Sequence, residues 1–149
     1  MHVLRCLPCF LHHLLQEHDT VLREGLSAIV NIHMLDIHWL QASIPVKSGG
    51  LGTGRAVSLA LPAFLASDVA RSDLQSAILS RGIQLVDKKV KLARSLWCSL
   101  TTTSTPVGPL QTSQSAWDAP MVVCDCQTLL DNARSDIDKA RLFAVKADQ

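Results

Sequence analysis

The chain has 149 residues, enough for one ordinary domain that buries about two-thirds of the surface its unfolded form exposes. Its 48% hydrophobic and 18% charged residues are a globular composition rather than a disordered one. Fourteen basic against thirteen acidic side chains leave a net charge of +1, which excludes the strongly basic signature of an autonomous nucleic-acid binder.

From Met1 to Leu15 the leucines are interrupted by Pro8, His12 and His13, so the clean apolar run of a signal peptide is missing. From Phe10 to Val30, Leu11, Leu14, Leu15, Leu22, Leu26 and Ile29 recur at spacings of three, four and seven residues, which share a helix face. Gln16, Glu17, Asp19, Arg23 and Glu24 fall on other faces, so the segment reads as an amphipathic helix. A short helix over Leu35 to Ala42 must stop near Pro45, because proline pushes the residue before it out of helical geometry. The run from Ser48 to Gly54 is then a flexible turn.

Arg55 to Ser67 predicts a mostly apolar helix, kinked or started at Pro62, and too short to span a bilayer. Ser72-Asp73-Leu74-Gln75 has the form of a capping box opening another helix, which Gly82 would end. Ile83, Val86, Val90, Ala93 and Trp97 form the apolar stripe of a further helix. Lys88, Lys89, Lys91 and Arg94 then make its outer face basic. Residues 51–100 hold seven basic against three acidic side chains, a local excess of four. Any phosphate contact is expected from there.

Residues 99–115 are almost entirely Thr, Ser, Gln, Gly and Pro, the composition of a disordered linker. Val122 to Leu130 reads as a helix, and Ser135-Asp136-Ile137-Asp138 caps a last one carrying Ala140, Leu142 and Val145. The expected fold is thus mainly α and irregular: a helical region over 1–98, a linker over 99–115 and a small helical segment over 116–149.

Chemistry-bearing motifs are sparse. Cys6-x-x-Cys9 is followed by His12, His13 and His18, but a structural zinc site wants its histidines about a dozen residues beyond the cysteines. Cys124 and Cys126 are one residue apart, so they point to opposite sides of a strand or diverge on a helix. Five cysteines in separated groups suggest no secreted disulfide framework, so a reducing intracellular compartment is expected. Gly50-x-Gly52-x-Gly54 departs from the phosphate-cradling spacing and lacks a following Walker-type lysine. No Gly-x-Ser-x-Gly elbow exists, and every histidine lies at or before His38. Asp136-x-Asp138 fits a first helical turn that complements the helix dipole. No cofactor, metal or catalytic residue is nominated.

Trp39-Leu40-Gln41-Ala42-Ser43-Ile44-Pro45 followed by Gly49-Gly50-Leu51-Gly52 resembles the segment behind the palm in non-LTR retrotransposon reverse transcriptases, where a Trp-x-Gln-Ala-x-Leu-Pro run leads into Gly-Gly-Leu-Gly. Four further blocks agree in order: Leu22 to Leu26, Leu59 to Ser67, Trp117 to Pro120 and Ser135 to Leu142. Together they span nearly the whole chain. The resemblance implies a helical thumb and connector that holds primer–template behind the active site. It also implies that the chain does not polymerise, since the family's metal-binding aspartates lie in the palm and no Asp-Asp pair occurs here. Thr53 and Gly54 depart from the family pattern, which continues with an apolar residue and Arg. Met1 has the look of an internal methionine, and the family continues beyond Ala147 into a Trp-containing segment, so a degenerate element or one exon of a larger gene is expected. The expected function is a non-catalytic remnant making at most weak, sequence-independent phosphate contacts. The alternatives are a helical protein-interaction module using the apolar face of Leu11 to Ile29, or a product without function.

Overall fold

The computed structural model describes residues 2–78, 88–133 and 135–140. Among them the fold is mainly α, with no strand. In chain order the helices are α1 (His2–Cys6), α2 (Leu14–Val30), α3 (Asp36–Ser43), α4 (Ala56–Ile78), α5 (Lys88–Thr101) and α6 (Gln114–Asp131). Short 3-10 turns occupy Val46–Ser48 and Gly108–Thr112, and residues 136–140 are helical. Among the described residues no helix is long and apolar enough to cross a membrane.

The chain forms two compact units, one from Met1–His12 and Val57–Met121, the other from His13–Ala56 and Val122–Gln149. Both units are assembled from distant stretches, which composition along the chain does not register.

In the first unit α4 supplies Ala60, Leu61, Ala63, Phe64, Leu65 and Ala66, all buried. Pro62, expected to kink or start this helix, lies within it and is fully buried. An interior proline costs about 3 kcal/mol, whereas burying Leu61, Phe64 and Leu65 contributes about 1.5–3 kcal/mol each, so packing outweighs the lost ladder bond. The expected break at Ser72 is also absent. Ser72 Oγ donates to the Val69 carbonyl at 2.8 Å, a back-bond into its own helix in place of a cap.

On the other side Ala93, Trp97 and Thr101 of α5 are buried, as the sequence stripe anticipates for its described part; Ile83, Val86 and the stop at Gly82 lie outside the described residues. Trp97 and Trp117 meet edge to face with ring centroids 5.1 Å apart. Trp97 Nε1 donates to the Trp117 carbonyl at 3.0 Å, and Trp117 Nε1 to that of Gln111 at 2.8 Å. The second of these bonds anchors the segment read as a linker at Gln111. Ser99 to Thr101 complete α5, Thr101 is 3% exposed, and Gln114 opens α6, eight residues before the expected Val122. A buried indole that needs an acceptor fixes backbone that has little apolar area of its own.

Phe10, expected inside a helix, sits in a turn and is buried against Phe64 at a centroid distance of 5.6 Å. Pro8 disfavours helical geometry at Leu7, where α1 has ended, and the next helix begins only at Leu14.

In the second unit Met34, Trp39 and Ala42 form a core on which Leu26 packs. The buried residue of α2 is Asp19, not a leucine. Its Oδ1 accepts the Ala56 N–H at 2.6 Å, a carboxylate placed at the start of α4 where the helix dipole favours negative charge. Leu14, Val21, Leu22 and Ile29 are exposed. Ser135 caps the final helical stretch as the sequence indicates, its Oγ accepting the Asp138 N–H at 3.1 Å; Leu142 and Val145 lie outside the described residues.

Candidate nucleic-acid interface

The glycine-rich segment folds as a lid on the C-terminal end of α3. Ser48 N–H donates to the Pro45 carbonyl, Gly49 to Val46, Gly50 to Pro45, Leu51 and Thr53 to Ala42, Gly52 to Ile44, and Gly54 to Ser43, at 2.8–3.3 Å. Every N–H from Ser48 to Gly54 is therefore directed at a carbonyl of the chain itself, four of them at the last turn of α3 or the residue just beyond it. A phosphate would find no donor here. Thr53 Oγ1 adds a further bond to the Ala42 carbonyl at 2.9 Å. Gly49 and Gly52 have φ of 89° and 70°, and a Cβ on Gly50 would sit 2.5 Å from the Gln41 carbonyl oxygen and closer still to that of Ile44. These glycines answer backbone demands, and Thr53, one of the departures from the retroelement pattern, strengthens the closure.

The basic excess of residues 51–100 is partly spent internally. Arg55 Nη2 binds Asp125 Oδ2 at 2.7 Å with both side chains three-quarters buried. Arg71 donates to the carbonyls of Ser67 and Arg5. Arg81 lies outside the described residues.

The basic residues of α5 divide by exposure. Lys88, Lys89 and Lys91 are exposed, and Lys88 and Lys91 lie across the helix from buried Ala93, Trp97 and Thr101. Arg94 differs from the other three. It is half-buried on the flank of the helix, and its Nε is enclosed without a hydrogen-bond partner. The sequence stripe missed Ser95, which is exposed and follows Lys88 and Lys91 by seven and four residues on the same face. Helical spacing could have located it. Hydroxyl and ammonium donors in one row suit phosphate oxygens.

Elsewhere the second unit carries an open groove of about 720 Å³ lined by Thr20, Arg23, Glu24, Ser27, Asn31 and His33 among others. Its cation is engaged, since Arg23 donates to the Met34 carbonyl and, at 2.6 Å, to Asp36. Among the described residues no group of three or more His, Cys, Asp or Glu is placed to hold a metal ion.

In the first unit burial pushes the Asp118 carboxyl up to about 6, against the pull of a Gln114 hydrogen bond and the Arg5 charge, which lower it. Arg5 Nη2 in turn donates to Gln114 Oε1 at 2.9 Å. The trio ties α1 to the start of α6.

No protein-family model, curated protein or solved structure matches the chain.

Proposed function

We propose that the chain is a non-catalytic remnant of a retroelement reverse transcriptase, from behind the catalytic palm, whose residual contact with nucleic acid is made to phosphates by α5. The observation that supports this reading most is the exposed row of Lys88, Lys91 and Ser95, with exposed Lys89 on the flank toward Ala93, on a helix held from its opposite side by Ala93 and Trp97. Lysines fixed on a packed helix neutralise phosphates without reading bases, so binding is sequence-blind and weak, in a range of roughly 10⁻⁴–10⁻⁶ M at physiological salt. Arg94 reinforces the edge of this surface. Templated synthesis is outside its reach, because the chain carries no adjacent aspartates to hold two metal ions. Fluorescence anisotropy with a labelled primer–template duplex tests the reading. Equal binding to unrelated duplexes that falls as salt rises is expected, and binding that is absent at low salt overturns it.

A helical protein-interaction module is the second reading, favoured by one observation: Leu14, Val21, Leu22 and Ile29 of α2 face solvent while Asp19 is buried.

A further inference from the structure

The exposed stripe of α2 is built from Leu14, His18, Val21, Leu22, Gly25 and Ile29. These positions occupy about 100° of the helix circumference. Leu14 is 54% exposed, Val21 67%, Leu22 39% and Ile29 83%, while Leu26 beside them turns inward onto Met34, Trp39 and Ala42. Nothing lies within 4 Å of the site of a Cβ on Gly25, so no internal packing requires glycine there. A glycine inside a helix is otherwise unfavourable.

The intervals along the stripe are 4, 3, 1, 3 and 4, the same read in either direction. When a second α2 is laid antiparallel across a two-fold axis between Val21 and Leu22, Leu14 meets Ile29, Val21 meets Leu22, and the His18 ring meets Gly25. Every large apolar residue then faces another, and the bulky ring faces the position without a side chain. This is the self-complementarity that an isologous interface demands.

We propose that α2 is the contact surface of a homodimer, two copies of the chain pairing antiparallel through this palindromic stripe. The proposal takes up the interaction reading and supplies its partner; it does not depend on the basic face of α5. Four aliphatic side chains per helix form a patch of a few hundred Å², on the order of half of what each partner buries in a standard interface, so the dimer is weak and micromolar. Glu17 and Glu24 flank the stripe on one side, and antiparallel pairing brings these like charges toward each other, so added salt strengthens the dimer.

Sedimentation velocity of the full chain from about 1 to about 500 μM should show the mass rising from 16.2 kDa toward twice that value. Val21→Asp should abolish the rise at all concentrations. Gly25→Ala should weaken association at least about fivefold by meeting the His18 ring, although the isolated helix gains from it. The register is tested by Leu14→Lys and Ile29→Glu: each variant alone should stay monomeric, whereas an equimolar mixture should recover dimer, because the ammonium introduced in one copy then faces the carboxylate introduced in the other. All four positions are exposed, and unchanged tryptophan fluorescence and far-UV circular dichroism will show that the variants keep the fold. A constant 16.2 kDa at every concentration, association untouched by Val21→Asp, or a mixture that recovers nothing overturns the proposal.

Discussion

Replacing Asp118 by Asn should stabilise the protein at neutral pH, the reverse of the usual result for removing a carboxylate near an arginine. The folded chain holds this carboxyl at about 6 against an ordinary 3.8, chiefly through burial. A raised folded value means that the protonated form favours folding. That contribution is fully present below about pH 3.8 and is lost as pH rises through about 6. A shift of about two units corresponds to a ceiling of about 3 kcal/mol. Partial exposure admits solvent screening, which reduces this to about 1–2 kcal/mol. Urea unfolding of wild type and Asp118→Asn, followed by tryptophan fluorescence, measures it directly, and comparing the pair removes the titration of the six histidines. The two should be nearly equal in stability at about pH 4, with the variant ahead by about 1–2 kcal/mol at about pH 7.5. A difference that does not change with pH, or one favouring wild type as pH rises, would mean that the Arg5 charge outweighs burial and would refute the reasoning.

Three further expectations concern the backbone. Gly50→Ala should lower the urea midpoint by an amount worth about 1–3 kcal/mol, because the added methyl group meets the Ile44 and Gln41 carbonyls and the lid on α3 must shift. Asp19→Ala should cost about 1–2 kcal/mol by removing the acceptor for the Ala56 N–H, and Asp19→Asn, which keeps an oxygen there, should cost less. Thr102 holds a left-handed φ of 54° just past α5, a strained conformation for a β-branched residue, so Thr102→Gly should raise the thermal midpoint by an amount worth about 1 kcal/mol.

Helix existence was legible in the sequence because periodicity reports which side chains can share a face. The α3 stop before Pro45, the α5 stripe and the Ser135 cap all follow from local chemistry that operates within a few residues. Joins between distant segments were not legible. Asp19 lies 37 residues from the N–H it caps, and Arg55 lies 70 from Asp125, so nothing local marks either as structural. Pro62 marks a kink or a helix start in sequence; it lies inside α4 and not at its start, in a stretch where Leu61, Phe64 and Leu65 are nearly inaccessible. The Ser/Thr-rich stretch misled because one group that anchors it, the indole N–H that reaches the Gln111 carbonyl, belongs to Trp117 outside the stretch.

For the candidate interface, charge counting marks a basic region but does not say which of its side chains are exposed. Seven basic residues between 51 and 100 look equivalent in sequence, yet Arg55 and Arg71 are committed to Asp125 and to backbone carbonyls. Arg94, grouped with the lysines by spacing, falls on the half-buried flank because the stripe of Val90, Ala93 and Trp97 turns it inward. The glycine-rich run shows the opposite case. Its resemblance to a phosphate loop dissolves once each N–H is traced to a carbonyl, and its glycines are explained by positive φ and by lack of space.

The most direct test of the proposed function is the salt dependence of duplex binding in wild type and in the triple variant Lys88→Gln, Lys89→Gln, Lys91→Gln. Each lysine–phosphate contact contributes about 0.9 to the slope of log K against log salt on a B-form duplex. The variant should therefore bind more weakly to every sequence alike, with a slope flatter by up to about three units. A variant with the affinity and slope of wild type would leave the α5 lysines as a solvated face and remove the nucleic-acid reading.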